Sequence, residues 1–177
     1  MIAWKAALRR LALVAIAIAC AYPMLRSAIS SALVTRGDAL LYARDSRAKI
    51  KYRLALQIDP GNVIAADRYV FAAFLERTSA ALEDGVQIAD LALRGNPEAT
   101  AVRMDRALCL QRLGKYAAAE RDFERVGDER RDVQALALAA SDAVRSLDGA
   151  KARRLLRLAQ QIDPRYAPVR LALTRVR

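Results

Sequence analysis

The side chains able to do chemistry in this chain are mainly carboxylates and arginines, because histidine is absent. Its absence removes the commonest general base and metal ligand. No glycine-rich phosphate loop, paired-cysteine motif or nucleophile elbow occurs. The densest carboxylate group is Glu120, Asp122 and Glu124, which alternate with Arg121 and Arg125. This alternation favours a solvated, ion-paired helix face over an acid/base site. The sequence therefore predicts no enzyme, no cofactor and no metal site.

The chain carries an excess of positive charge. Lys and Arg number 30 against 19 for Asp and Glu, which gives a net charge of +11 at pH 7. Such an excess suits binding to nucleic acid or anionic lipid. The charges are spread rather than blocked, which favours arginines on solvated helix faces, so no specific nucleic-acid partner is expected. A basic module that binds an anionic polymer or a lipid surface is kept as the alternative function.

A nine-residue phrase occurs twice and organises the chain. Residues 52–60 read YRLALQIDP and residues 156–164 read LRLAQQIDP, so the copies differ only at their first and fifth positions. Their separation is close to three units of about 34 residues, the period of helix–turn–helix repeats. Ala, Leu and Arg dominate the composition and no strand pattern competes with helix. The sequence therefore predicts an all-α array of stacked helix pairs.

Small residues recur at nearly the same period, in two series. Small side chains let helix axes approach closely, so these positions are predicted to be helix crossings. The first interval is longer than the others, and its extra residues could lie in the link at 61–62 or in the turn at 77–81. The two series are Ala48, Gly85, Ala119 and Ala152, and Ala55, Ala92, Val126 and Ala159.

The units resemble the tetratricopeptide repeat family over about residues 31–165. The third unit matches best, with Ala107 in its first helix, a turn at 113–116, and Ala119 and Phe123 in its second helix. In the first unit, Gly37 departs from the residue pattern that the family prefers. The resemblance implies a helix–turn–helix solenoid of about four repeats with a C-terminal capping helix. The boundaries are 31–64, 65–98, 99–131, 132–165 and, for the cap, 166–177.

The family holds peptide segments in a groove lined by the first helices, so the resemblance implies a non-enzymatic adaptor for other proteins. Basic groove residues one repeat apart suit an acidic or C-terminal peptide segment, since guanidinium binds carboxylate bidentately. The alternative is that they are ordinary solvated arginines. A two-carboxylate clamp is not expected, because Leu33 and Gly37 stand where it needs Lys and Asn. The implied partner-binding residues are Gln111, Arg112 and Arg145, with Arg77 possible in the second unit.

The N-terminus has a different character. Lys5, Arg9 and Arg10 precede an uncharged run at 11–25. As a helix this run reaches about 22 Å, short of the ~30 Å hydrocarbon core, but the uncharged stretch beyond Arg26 permits a tilted span. We predict that residues 1–30 form a transmembrane or signal-anchor helix. The repeats would then face the periplasmic side of a bacterial inner membrane, in a membrane complex.

The residues around Cys20 leave other fates for this segment open. Ala19, Cys20 and Ala21 form a small-residue cleavage signal after an apolar stretch, and Cys20 also resembles the acceptor of a poor lipobox. The segment could therefore be cleaved or lipidated instead of retained. Cys109 falls in a predicted helix, so no disulfide framework is implied, and it is predicted to be a buried free thiol.

Overall fold

The computed structural model describes residues 2–176, with side chains described for residues 16, 17 and 19–176. Within residues 2–176 the chain forms nine α-helices and no strand, which confirms the prediction of an all-α fold. Two compact units are present, Met1–Ala65 and Ala66–Arg177. The helices are α1 (Ile2–Tyr42), α2 (Arg47–Ile58), α3 (Val63–Glu76), α4 (Ser79–Gly95), α5 (Thr100–Arg112), α6 (Tyr116–Arg130), α7 (Val133–Arg145), α8 (Gly149–Ile162) and α9 (Ala167–Arg175).

In the first unit, α2 packs along the C-terminal half of α1. The Ser30 hydroxyl donates to the Ala55 carbonyl at 3.0 Å, and the Tyr52 hydroxyl donates to Asp38 at 2.8 Å. A Cβ at Gly37 would lie 2.5 Å from the Tyr52 ring. The close approach of the two helices therefore requires glycine at position 37. The departure from the repeat pattern at that position has a packing reason.

The predicted anchor, residues 1–30, is not a separate element. Helix α1 runs without a break from Ile2 to Tyr42 and includes Pro23. Among the described residues, no helix has a stretch long and apolar enough to cross a bilayer. The side chains of residues 1–15, on which most of the anchor prediction rests, lie outside the described part of the chain. The structure gives the anchor no support, and it stays a prediction.

In the compact unit Ala66–Arg177, consecutive helices from α4 to α9 pack against each other around an alanine-rich core. Ala119 and Ala152, predicted at helix crossings, are completely buried. A Cβ at Gly127 would lie 2.5 Å from the Leu136 side chain, so this crossing also depends on a small residue. The remaining large core side chains include Phe123, Leu155 and Leu156.

The final helix α9 lies where a capping helix was predicted. Its Val169 is completely buried in the same core, and Leu173 packs against that core partly buried. Leu171 is exposed, so α9 covers the end of the array with only one side.

Three helices end at a residue that precedes proline. Asp59, Asn96 and Asp163 follow α2, α4 and α8 and have nearly the same backbone conformation, with φ of −130°, −140° and −135°. Proline disfavours the helical region for the residue before it. The predicted stops are therefore confirmed, and the two copies of the repeated phrase end in the same way.

The register of the second repeat, residues 65–98, differs from the prediction. Each helix hairpin turns at a residue with positive φ: Arg44, Arg77, Gly114 and Leu147. Their numbers differ by 33, 37 and 33, so the long interval follows Arg77 and does not precede it. Helix α4 has 17 residues where α6 has 15, and a longer link follows it. Neither predicted location holds the extra residues, because the longer α4 and the longer link that follows it share them.

This shift changes which small residue of α4 lies at the crossing. Ala92, the predicted residue, is only partly buried, whereas Ala89 is completely buried. Ala89 lies as far beyond Arg77 as Val126 lies beyond Gly114. The prediction for Ala92 was wrong because it placed the extra residues before α4, whereas the long interval follows Arg77 and includes α4.

Candidate functional site

The first helices α3, α5 and α7 share a stripe of incompletely buried side chains, which we call the first-helix face. Arg112 and Arg145 hold equivalent positions in this stripe, each two residues before the left-handed turn residue. Arg77 is itself a turn residue, and Leu75 occupies the equivalent position. The face comprises Arg68, Phe71, Phe74, Leu75, Asp105, Leu108, Gln111, Arg112, Leu138, Ser141, Val144 and Arg145.

Arg112 and Arg145 each lie over an aromatic ring. The guanidinium carbon of Arg112 is 4.0 Å from the centroid of Phe74, and that of Arg145 is 5.0 Å from the centroid of Tyr116. Both arginines are exposed, and neither forms an ion pair with a carboxylate of the described residues. Stacking on a ring orients a guanidinium without using its N–H donors. These donors are therefore available to a carboxylate of a ligand.

Gln111 is occupied inside the protein. Its amide nitrogen donates to the two carboxylate oxygens of Asp142, at 2.9 and 3.0 Å. Asp142 is completely buried; burial raises its pKa, and the hydrogen bond from Gln111 opposes that rise. Of the predicted site residues, Arg112 and Arg145 thus both lie over aromatic rings. Gln111 joins α5 to α7, and Arg77 lies in a turn.

Asp105 is a further candidate residue of the first-helix face, and it was not identified from the sequence. It is partly buried on α5, seven residues before Arg112 and therefore on the same side of the helix. Burial raises its pKa to about 7, the negative charge of Asp67 adds to this, and Arg68 lowers it. The spacing from Arg112 could have placed Asp105 on the face, but its raised pKa depends first on burial and then on the charge of Asp67, which the sequence does not show.

The middle of the face is apolar. Phe71, Phe74, Leu108 and Leu138 are all partly buried there. A surface that combines apolar side chains with a few oriented polar groups is typical of a ligand site. This arrangement can bind a segment that carries an apolar side chain and a carboxylate. No group of metal-ligating side chains occurs among the described residues.

The carboxylates of α6 pair with neighbouring helices. Asp122 accepts two bonds from Arg106 of α5, at 2.8 and 2.7 Å, and Glu120 and Glu124 pair with Lys151 of α8. Glu120 and Asp122 are buried. The prediction of an ion-paired face is confirmed, but the prediction that it is solvated was wrong for these two. The reason is that α5 and α8 flank α6 and bring their own basic side chains.

Cys109 is a buried free thiol, as predicted. Burial raises the pKa of this thiol to about 12, and the negative charge of Asp105 adds to the rise. The thiolate that nucleophilic chemistry requires is therefore scarce at neutral pH. Cys20 is exposed on α1.

Comparison with known proteins identifies the fold. No protein-family model and no curated protein matches this sequence. The ArsTM double mutant of MamA RS-1 superposes with a TM-score of 0.73 at 14% identity, covering 84% of this chain and 83% of that one. PilF of Pseudomonas aeruginosa gives a TM-score of 0.67 at 15% identity, covering 85% and 68%. A tetratricopeptide repeat protein of Parabacteroides merdae ATCC 43184 gives 0.69 at 15% identity, covering 84% and 59%.

The helix pairs recur along the chain as the sequence repeat predicted, and the structure adds a left-handed residue at each hairpin turn. Together with the structural likenesses, they show that this chain has the tetratricopeptide-repeat fold.

Proposed function

We propose that this chain is a non-enzymatic scaffold that holds an acidic or C-terminal segment of a partner protein on the first-helix face. One observation carries the proposal: Arg112 and Arg145 hold equivalent positions, and each lies over an aromatic ring without a carboxylate partner among the described residues. A guanidinium so oriented suits bidentate binding of carboxylate. The fold supports a binding role, because stacked repeats present an extended surface.

The test is to crosslink the protein in cells, identify the co-purified partner, and titrate that partner against variants. Loss of either arginine in Arg112→Ala or Arg145→Ala should weaken binding by ~1.5–3 kcal/mol, the range for hydrogen bonds to charged groups. Arg175→Ala, an exposed arginine of α9, is the control and should change the affinity little. Equal losses of affinity at all three positions would refute binding at the first-helix face.

We also propose that residues 1–30 anchor the scaffold in a bacterial inner membrane, with the repeats on the periplasmic side in an envelope complex. Support comes from the basic residues before the uncharged run 11–25. On the described part of the same segment, Tyr22, Met24 and Leu25 are exposed. The protein should start at Met1 and stay in the membrane fraction in carbonate, because apolar burial is not screened by salt. A mature chain that starts at Tyr22, or at an acylated Cys20, would overturn the anchor.

The second candidate is a basic module that binds an anionic polymer or lipid surface. The observation that favours it is a surface depression on α8 lined by Arg153, Arg154 and Arg157. Binding to a polyanion should fall steeply with salt, because bound counterions are released. Under this function, removal of any one exposed arginine should lower affinity by a similar small amount. Titration at two salt concentrations separates the two candidates.

A further inference from the structure

We propose that the cleft between α4 and α6, floored by α5, is a second peptide site that takes an acidic segment with an apolar side chain. The cleft has a volume of ≈ 680 Å³. Ligand pockets are commonly about 300–1,000 Å³, so the cleft has room for several side chains. It goes beyond the function proposed above, which uses the first-helix face.

The cleft and the first-helix face lie on different sides of α5. Arg103, Arg106 and Leu110 of α5 line the cleft, whereas Asp105 and Arg112 belong to the first-helix face. At 3.6 residues per turn, these two sets project in roughly opposite directions from the helix axis. A ligand in the cleft therefore leaves the first-helix face open.

Five arginines line the cleft against two carboxylates, and three of the five already form ion pairs. Arg106 is held between Asp90, at 2.6 Å, and Asp122. Arg103 and Arg125 both bond Glu129, at 3.1 and 2.6 Å. The pairs of Arg106 join both walls to the floor of the cleft, and the Arg103 pair joins the α6 wall to the floor a second time.

The other two arginines, Arg94 of α4 and Arg121 of α6, have no carboxylate partner among the described residues. Both are exposed. Arg121 donates its Nε hydrogen to the Ala117 carbonyl at 3.2 Å, which leaves its terminal nitrogens available. No carboxylate of the described residues pairs with either guanidinium, so both can pair with an anion that enters the cleft.

The form of the anion follows from what the cleft already binds. Arg106 takes the Asp122 carboxylate with two parallel bonds, at 2.8 and 2.7 Å, which is the bidentate geometry by which an arginine of this cleft pairs with a carboxylate. Val86, Leu93 and Leu110 give the same cleft an apolar wall. A carboxylate beside an apolar side chain, as in an acidic peptide, satisfies both features. A free inorganic anion satisfies only the first.

The test is calorimetric titration of the full chain, in mild detergent, with a short peptide of alternating Glu and Leu. The cleft variant is Arg94→Gln with Arg121→Gln. The matched control is Arg170→Gln with Arg175→Gln on α9, which removes the same charge. We expect the cleft variant to bind the peptide at least about tenfold more weakly at this site, and the control to bind within about twofold of the parent. All four residues are exposed, so melting curves should coincide.

A third variant, Arg112→Gln with Arg145→Gln, separates this inference from the proposed function. If the third variant binds the peptide as tightly as the parent while the cleft variant binds it more weakly, the proposed function is wrong and this inference stands. Equal binding by the cleft variant and its control would overturn the inference. So would equal binding of a peptide with Gln in place of Glu. Displacement of the peptide by inorganic phosphate, at matched ionic strength, would show that the cleft takes any oxyanion and would also overturn it.

Discussion

Two arginines of α5 have opposite situations although they lie six residues apart on one helix. Arg106 is enclosed by Asp90 and Asp122, with bonds of 2.6 to 2.8 Å. Arg112 is exposed, lies over Phe74 and has no carboxylate partner among the described residues. The first holds three helices together, and the second is the residue that we propose for ligand binding. Residue type alone therefore does not say whether an arginine of this protein is structural or functional.

The difference arises from burial and from the neighbours. Burial opposes the charge on Arg106, but Asp122 and Asp90 outweigh it and raise the pKa of this guanidinium. A buried ion pair of this kind is destabilising when one partner is lost, because the other charge stays without compensation. An exposed cation over a ring contributes about 0.5–1 kcal/mol. The predictions below test this contrast.

The largest effect is expected from Arg106→Ala. It leaves Asp122, which is buried, without its cation and should lower the free energy of unfolding by about 3 kcal/mol. Urea denaturation followed by circular dichroism measures it. Arg112→Ala is the matched variant on the same helix and should cost less than about 1 kcal/mol. A loss for Arg106→Ala no larger than for Arg112→Ala would contradict the structural role of Arg106.

Overpacking a helix crossing should have the next largest effect. Ala119 is completely buried between helices, so Ala119→Leu should destabilise the protein by ~1–3 kcal/mol. Ala117→Leu adds the same group at an exposed position of α6 and is the control. Equal thermal melting of the two variants would show that α6 is not in the register described.

Asp105 should make stability depend on pH. Its carboxyl has a folded pKa of about 7 against an ordinary value of 3.8, so the folded protein keeps a proton that the unfolded chain releases. The free energy of unfolding should therefore fall as pH rises from about 4 to about 7. The rise of this pKa from 3.8 to about 7 corresponds to about 4 kcal/mol, and because solvent reaches this partly buried side chain the fall should be of order 2 kcal/mol.

Asp105→Asn should remove this part of the slope and leave the protein more stable than the parent at pH 8. Asp128→Asn, at an exposed carboxylate of α6, is the control and should keep the slope. Denaturant titrations at a series of pH values measure both. An unchanged slope in Asp105→Asn would contradict the neutral-range pKa.

The smallest effect is expected where an ion pair is exposed. Arg125 and Glu98 approach to 3.5 Å, but the Glu98 side chain is 74% exposed. Glu98→Gln should change the free energy of unfolding by less than about 0.5 kcal/mol, since water already screens such a pair. A loss comparable with that of Arg106→Ala would show that burial does not separate the two kinds of arginine.

Much of the fold is predictable from sequence because its signals are local. Proline acts on the residue before it, so Asp59 and Asp163 mark helix ends wherever their helices pack. Small residues such as Ala119 and Ala152 mark crossings because only they permit close approach. The register of the second repeat was predicted wrongly because its four extra residues could be inserted in any of several segments at similar local cost.

Local patterns in the sequence predict the helices, their stops before proline and the repeat, because these features depend on neighbours in the chain. The roles of the polar side chains follow from the tertiary structure. Asp142 binds Gln111 across 31 residues, Lys151 reaches Glu120 across about one repeat, and Asp67 adjusts the pKa of Asp105 from another helix. Such pairings depend on distances between helices and on burial. No periodicity encodes either quantity, since both are set by how whole repeats stack.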